Sequence, residues 1–484
     1  MKWCIIVTEA PFLMEFLGKL SLSMLQQGDE CVLVFGSKLA EYEKAQYFPE
    51  AARTVSKVDW CLEHYNQKRE DYKDLTWRPL YANFARMEEW PWRYRASAQR
   101  LAQEYQFFEH LLETERPDAI LFEPPSGVGA EVAYALSLKY GIPYLGITDS
   151  RISGRLDVFD SEYTDKRYLK TFRTVVPKDI LQEELRFAAR FIRDFLSHKR
   201  LPSYLGTGKI RFTLFGYISH YLGRFCETGG SLWRYFKERK KFKDTDFESE
   251  TRFRTAIRSP ARIALSQIRI ARQKHFYRRL DPKDEFYVFP LHLQPETSTT
   301  VQAMYYSDQI AAIRNIAFQL PFPAKLYVKE HMSALGTKPG SFYKKLQGVP
   351  NVVLIAPDES MPELIRRSKG MIVLTGTAGM EAALTGKPTY ILGNAFYEYH
   401  PLCRKVENFD ELREFILADH KNGVSQENLK QVNLRFVVSY LRNTIPGSIV
   451  AAQAKQDSNE YQQIVRELRS IAQMRKRILR RKHS

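Results

Sequence analysis

A chain of 484 residues with 44% hydrophobic side chains is too long for one ordinary domain and apolar enough to build real cores, so two globular lobes with additional helices are expected. No window reaches the roughly 18 uninterrupted apolar residues of a membrane span, and "MKWCIIVTEAPFLMEF" meets Glu9 too early for a signal peptide, which points to a cytoplasmic protein. The five cysteines are scattered, odd in number and free of CxxC spacing, which argues against a disulfide framework and against a zinc site.

In chain order, "KWCIIVTEAPF" is an apolar run and a turn, followed by a helical pattern through Leu13, Leu17, Leu20 and Leu25, a stop at Gly28, and a second run, "CVLVFG". This strand, helix, strand unit returns as a strand over Ala119–Phe122, a Pro/Gly turn, an Ala-rich helix ending near Gly141 and a strand from Pro143 to Ile147. Alternation of this kind implies a parallel sheet. Residues from about 50 to 110 carry aromatic and charged side chains at helical spacing without a clear assignment. From about Tyr168 to Leu280 the chain turns basic and mainly helical, as in "ILQEELRFAARFIRDFL".

A second alternating region follows. Strands are expected at Phe286–Pro290, Lys325–Lys329, Val352–Ile355, Gly370–Thr375 and Thr389–Gly393, with helices Ser307–Leu320, Gly340–Leu346, Met361–Ser368 and Gly379–Leu384 between them and further helices after them. The expected fold class is therefore α/β with two doubly wound, Rossmann-like lobes, a helical insertion between them and a helical C-terminal tail. The expected divisions are 1–165, 166–282, 283–402 and 403–484.

The net charge of +17 is concentrated in two segments. Nine Lys or Arg and no acid lie between Arg252 and Arg279, and six and no acid lie in the last ten residues, "RKRILRRKHS". Either cluster suits a solvated face, an anionic membrane surface or nucleic acid. In the tail, Ile464, Leu468, Ile471 and Ile478 recur at near-helical spacing among the cations, the pattern of an amphipathic helix lying on a membrane. The clusters lack interleaved stacking aromatics except around "KHFYRR", so nucleic acid is not expected.

Doubly wound lobes bind ligands outside the carboxyl ends of their strands, so the residues that matter should follow strands. The turn "PLHLQPETSTT" presents His292, Gln294 and Glu296; "YVKEHMSALG" presents Lys329 and His331; "APDES" presents Asp358. In "LTGTAGMEAAL", Thr375, Gly376, Thr377 and Gly379 open a helix that carries Glu381. Glycines there allow backbone N–H groups to approach an anion, with phosphate the natural guest and Glu381 suited to ribose hydroxyls; such turns also make tight connections that hold no ligand. In the first lobe, Glu9, Glu123 and Asp149, the last followed by Arg151 and Arg155, are alternative candidates for a general base. His292, His331 and His400 lack metal-ligand spacing, and no GxSxG, Walker or GxGxxG motif occurs, so no metal and no bound cofactor are expected.

The blocks "YVFPLHLQPETST", "YSDQIAAIRNIAFQLP", "LYVKEH", "SFYKKLQGVPNVVLIAPDES" and "LTGTAGMEAALTGKPTYILG", in this order, resemble the bacterial capsule polysaccharide biosynthesis family, which includes the Kdo transferases of capsule assembly. The resemblance covers roughly residues 283 to 400 well, residues 1 to 160 loosely, and the helical middle and tail hardly at all. It implies a GT-B glycosyltransferase, independent of metal, with a nucleotide-sugar donor, a CMP-sugar among the options, held by the second lobe. It further implies a lipid-linked or oligosaccharide acceptor at the first lobe, at the cytoplasmic face of the inner membrane. By the resemblance, His331 would contact the donor phosphate, Gly376 to Gly379 would form the phosphate-side loop and Glu381 would meet the ribose; Met332 stands where the family usually has proline after that histidine. A polyol-phosphate transferase of teichoic-acid type and a non-catalytic GT-B-like protein of polysaccharide export are the rival readings.

Overall fold

The computed structural model describes residues 1–7, 11–36, 41, 47–69, 71–72, 75–81, 94–160, 164, 166–197, 265–294, 296–422, 426–449 and 458–483. Glu9 and the first part of the basic stretch that begins at Arg252, residues 252–264, lie outside the described residues.

The first sheet contains β1 (Lys2–Val7), β2 (Glu30–Phe35), β3 (Arg53–Ser56), β4 (Ala119–Phe122), β5 (Tyr144–Asp149), β6 (Arg155–Phe159) and, from far along the chain, β13 (Ile445–Pro446). The strands lie in the order β13-β6-β5-β4-β1-β2-β3. Strands β1 to β5 pair in parallel, while β6 turns back antiparallel on β5 and β13 pairs antiparallel with β6. The second sheet contains β7 (Phe286–Pro290), β8 (Lys325–Lys329), β9 (Val352–Ile355), β10 (Gly370–Val373), β11 (Thr389–Ile391) and β12 (Cys403–Lys405), ordered β12-β11-β10-β7-β8-β9 and parallel throughout. Each lobe winds outward one way from its first strand and then the other way. The reversal falls between β1 and β4 in the first sheet and between β7 and β10 in the second, and such switch points open a crevice at the carboxyl ends of the strands.

Runs such as "CIIV", "AILF" and "YVF" are buried on both faces, as parallel strands covered by helices must be. Helices Tyr94–Glu115 and Val128–Lys139 cover one face of the first sheet, and Pro11–Gln26 and Ser458–His483 cover the other. The last of these corrects the reading of the tail as a membrane-lying helix. Ile464, Val465, Leu468 and Ala472 are fully buried against Phe16, Leu20 and strand residues of the first lobe, Ile471 is 7% exposed, and only Ile478 at 49% remains outside. The apolar stripe read from the tail is thus spent on a protein core. Arg475 is buried as well, donating to the carbonyls of Tyr144, Val158 and Phe159, and Lys476 and Arg469 pair with Asp118 and Asp29.

In the second lobe, helices Gln309–Gln319, Gly340–Gln347 and Phe409–Asn422 cover one face. Helices Met361–Arg367, Ala378–Leu384 and Gln426–Asn443 cover the other, joined by Lys166–Thr174 and Gln182–Leu196 from the middle of the chain. Helix Gln309–Gln319 starts where Asp308 accepts hydrogen bonds from the Ile310 and Ala311 amides. Among the described residues, no helix is long and apolar enough to cross a membrane.

Truncation of Leu468 tests the packing of the last helix: Leu468→Ala should lower unfolding stability by about 3 kcal/mol in denaturant titrations, whereas a leucine on a membrane-lying helix would leave stability in solution unchanged.

Candidate functional site

The second lobe's switch point brings the turn after β7 against the turn after β10. His292, two residues beyond β7, is held by its backbone: its N–H donates to Gln309 Oε1 at 2.8 Å and its carbonyl accepts from Gln309 Nε2 at 3.1 Å. Gln309 also donates to Gln294 Oε1 at 2.7 Å, and Gln294 Nε2 donates to the Ser307 carbonyl at 2.6 Å. Both glutamines therefore shape the turn instead of facing a ligand. The His292 ring is 7% exposed and its Nε2 has no hydrogen-bond partner. A Cβ added to Gly376 would lie 3.4 Å from its Cε1 and 3.7 Å from its Nε2. Burial pushes the imidazole down to about 4, and the charges of His331 and Lys338 push the same way, so at neutral pH His292 is an uncharged hydrogen-bonding group.

The glycines of the turn after β10 have different reasons to be glycine. At Gly376 a methyl group would make ordinary contact and occupy the space before the imidazole; at Gly379 it would come 2.3 Å from the Tyr397 hydroxyl. That hydroxyl donates to the Gly376 carbonyl at 2.5 Å and fixes the turn from behind. Thr375 donates to the Ser298 carbonyl at 3.2 Å, tying the turn to the short helix Thr297–Thr300, where Thr300 buries an unpartnered hydroxyl. Thr377 stands at the N-cap of helix Ala378–Leu384 without a side-chain capping bond, and Glu381 is buried in its first turn.

Of the two sequence candidates in "YVKEHMSALG", His331 is the one whose charge acts on His292. Its Nδ1 accepts from the Ser333 amide at 3.2 Å; desolvation lowers its pKa, while the charges of Glu296 and Glu330 oppose that shift. Glu296 is exposed and accepts from the Ser298 hydroxyl. Lys329 turns elsewhere: it is buried and donates to the Pro357 carbonyl at 2.6 Å, and burial lowers its pKa. Asp358, in the turn after β9, is exposed and paired with Arg279 at 2.8 Å. Glu330, between the two sequence candidates, is enclosed by Lys338 and the Tyr343 hydroxyl.

In the first lobe, Asp149 ends β5 and accepts from the Ile449 amide at 2.9 Å. Arg155 begins β6 and donates to Thr444 Oγ1 and to the Thr444 and Leu441 carbonyls, which anchors the segment leading into β13. Glu123 follows β4, its carbonyl accepting from the Tyr144 hydroxyl. The Arg151 guanidinium lies 5.7 Å from the Phe396 ring, and its amide donates to the Tyr440 hydroxyl at 2.8 Å. Phe396 belongs to the turn after β11, so the carboxyl edges of the two sheets meet here.

Two acidic residues at these edges were not singled out from the sequence. Glu398, in the same turn as Phe396, buries an unpartnered Oε2, and burial raises its pKa against the pull of Lys405. Its signal was the polar "NAFYEYH" following a buried strand. Asp157, inside β6, accepts from the Tyr168 and Tyr440 hydroxyls at 2.8 and 3.0 Å, and burial pushes it up to about 6 despite both bonds. Among the described residues, no group of three or more His, Cys, Asp or Glu is placed to hold a metal ion.

Two doubly wound lobes meeting at their carboxyl edges, with the last helix returning to the first lobe, define a GT-B-like protein. Residues 241–440 match the family model described as capsule polysaccharide biosynthesis protein, the family that the five sequence blocks resemble. The Escherichia coli capsule polysaccharide export protein KpsS is 34% identical over 77 residues, which are 16% of this chain and 19% of that protein; the chain thus matches about a fifth of its curated relative's length. Two solved structures from Thermosulfurimonas dismutans are also similar. The KpsC beta Kdo 2,4 transferase is 13% identical, with 67% of this chain and 80% of that one covered and a TM-score of 0.34. The KpsC beta Kdo 2,7 transferase is 11% identical, with 70% and 85% covered and a TM-score of 0.33. At these scores they add nothing to the topology described above.

The two glycines should separate on substitution. Gly379→Ala should cost about 1–3 kcal/mol by displacing Tyr397, whereas Gly376→Ala should change stability by less than about 1 kcal/mol, both read from denaturant midpoints. The imidazole adds a pH dependence. Because its folded pKa lies near 4, below an unfolded value of 6.5, the stability it contributes is present above pH 6.5 and lost as the pH falls towards 4. The stability difference between the wild type and His292→Gln should therefore change most steeply across that window, by at most about 3 kcal/mol.

Proposed function

We propose that the protein is a glycosyltransferase of capsule or other surface polysaccharide assembly that takes a nucleotide-sugar donor at the second lobe's switch point. The observation that carries this reading is the desolvated His292 ring, with Nε2 unpartnered and set against Gly376. A buried polar atom without a partner is costly, on the order of 1–3 kcal/mol, unless something that binds there supplies the missing hydrogen bond. In the Nε2–H tautomer it donates to a phosphate oxygen without bringing a charge of its own. The backbone of the turn from Gly376 to Gly379 and the His331 imidazole offer further donors to the same group. Stabilisation of the departing phosphate by fixed donors in a dry site is the largest effect such a site can exert, and it needs no metal.

Glu381, buried beside the turn, is the proposed ribose contact, with Glu398 a second carboxylate at the same edge. The acceptor, a lipid-linked or oligosaccharide glycan, would enter from the first lobe, where Asp149, Glu123 or Glu9 would take the proton of its attacking hydroxyl. We place this work at the cytoplasmic face of the inner membrane. The similarity to a protein named for capsule export favours a second reading, a GT-B-like protein that binds a nucleotide or glycan without turnover.

Thermal unfolding with uridine, cytidine and guanosine mono- and diphosphates tests the donor site. At least one should raise the midpoint of the wild type, and His292→Ala and Gly376→Ala should each remove that rise, read against each variant's own midpoint without nucleotide. If no nucleotide stabilises the wild type, the donor-site reading fails. Release of nucleotide from a nucleotide-sugar on adding acceptor glycan separates the transferase from the non-catalytic reading.

A further inference from the structure

With the tail's apolar stripe buried in the first lobe, a different surface combines exposed cations with exposed aliphatic side chains. It lies on helices Lys166–Thr174 and Gln182–Leu196 and the turn between them. On the first helix, Tyr168 and Phe172 point into the core and Lys166, Leu169, Lys170 and Arg173 share the outward face at helical spacing. The turn adds Val176, Lys178 and Leu181, and the second helix adds Arg186 and Arg190, one turn apart on a face opposite Ala188. Leu169, Val176 and Leu181 are 36%, 37% and 58% exposed. Both helices pack on the same partner, helix Gln426–Asn443, through the Tyr168–Tyr440 and Arg442–Glu184 contacts, and only the turn 175–181 separates them in the chain.

The cations of this surface are unpaired among the described residues. Lys166, Lys170, Arg173, Lys178, Arg186 and Arg190 have no ion pair among the described residues. The nearby acids are mostly engaged elsewhere: Glu184 is bound to Arg442, Asp194 pairs with Arg193, and Asp179 and Glu183 remain as the exposed acids of the segment. Six unpaired cations with three aliphatic side chains among them suit a surface that is both anionic and apolar beneath, which is the make-up of a bilayer rich in anionic lipid. A nucleic acid would instead call for aromatic platforms, and none of the aromatic residues of these helices is exposed. We infer that this two-helix face is the protein's docking surface for an anionic membrane. The same helix that bears Lys166 and Arg173 inserts Tyr168 beside Asp157 at the meeting of the lobes, so a docked protein would hold its cleft near the lipid surface. The inference stands apart from the donor-site reading, since it rests on no residue of that site.

Co-sedimentation of the full chain with phosphatidylcholine vesicles, with and without about a quarter phosphatidylglycerol, tests it at low and physiological salt. The wild type should bind the anionic vesicles, more weakly at higher salt, and the neutral ones little. Lys170→Glu combined with Arg173→Glu, Arg186→Glu and Arg190→Glu should reduce binding about a hundredfold or more, and Leu169→Ser with Leu181→Ser should reduce it about tenfold. Unchanged thermal midpoints and nucleotide responses would show that the variants are folded. Should the folded charge-reversed protein bind anionic vesicles as the wild type does, the surface is not the docking face. If the wild type binds a single-stranded oligonucleotide and not the vesicles, the partner is a nucleic acid and the inference is overturned.

Discussion

A carboxylate removed from water must be given hydrogen bonds or a proton, and Asp157 is the place where this protein meets that demand. It lies on β6, in the first sheet, yet its two hydroxyl donors come from elsewhere: Tyr168 from the helix that follows the sheet and Tyr440 from the helix that covers the second lobe. Even so bonded, the carboxyl is held near 6, a displacement worth about 3 kcal/mol. A group that costs this much to enclose specifies its surroundings tightly, because any shift of one lobe against the other strips a donor from it. Around it pack Phe159, Tyr399, Phe396 and Phe436, and the Tyr440 hydroxyl also receives the Arg151 amide. The junction thereby sets where the carboxyl ends of the two sheets face each other.

What the junction presents is a mouth built from the ends of strands. The residues around the switch point between β7 and β10 and in the turn after β11 divide into two kinds. Gln294, Gln309, Thr375 and Tyr397 spend their polar atoms on holding backbone turns in place. His292, Thr300 and Glu398 bury polar atoms that the protein itself leaves without partners. Rigid support around incompletely satisfied groups is the arrangement expected where binding energy is to be spent on a ligand.

Much of this was legible in the sequence. The second lobe's first five strands were found nearly to the residue because each is a short, fully apolar run bounded by Gly, Pro or charged residues. Strands β3, β6, β12 and β13 were not, being short or interrupted by charge, as "RTVS", "RLDVF" and "CRK" are. Asp157 within β6 shows why: a carboxylate reads as solvent-facing until the tyrosines that enclose it, eleven and 283 residues away in the chain, are folded against it. For the candidate site, the turns that come together were legible and the contacts within them were not. Post-strand turns named His292, His331 and the glycine turn, yet nothing local shows that Lys329 spends its charge on the Pro357 carbonyl or that Gly379 is glycine for the sake of Tyr397. The tail gives the same lesson, since spacing alone cannot tell an apolar face that meets lipid from one that meets Phe16 and Leu20.

The return of helix Ser458–His483 to the first sheet has a consequence for how the molecule comes into being. Strands β1 and β2 and the helix between them are synthesised long before helix Ser458–His483, and one flank of that layer stays uncovered until the second lobe's sheet has been made. The second lobe's sheet and its covering helices, by contrast, are continuous in sequence apart from the two helices of the middle segment, and can assemble as they emerge. The lobe that begins first is therefore the one completed last, and its open flank, lined by Leu13, Phe16 and Leu20, is the nascent surface that a chaperone would have most reason to shield.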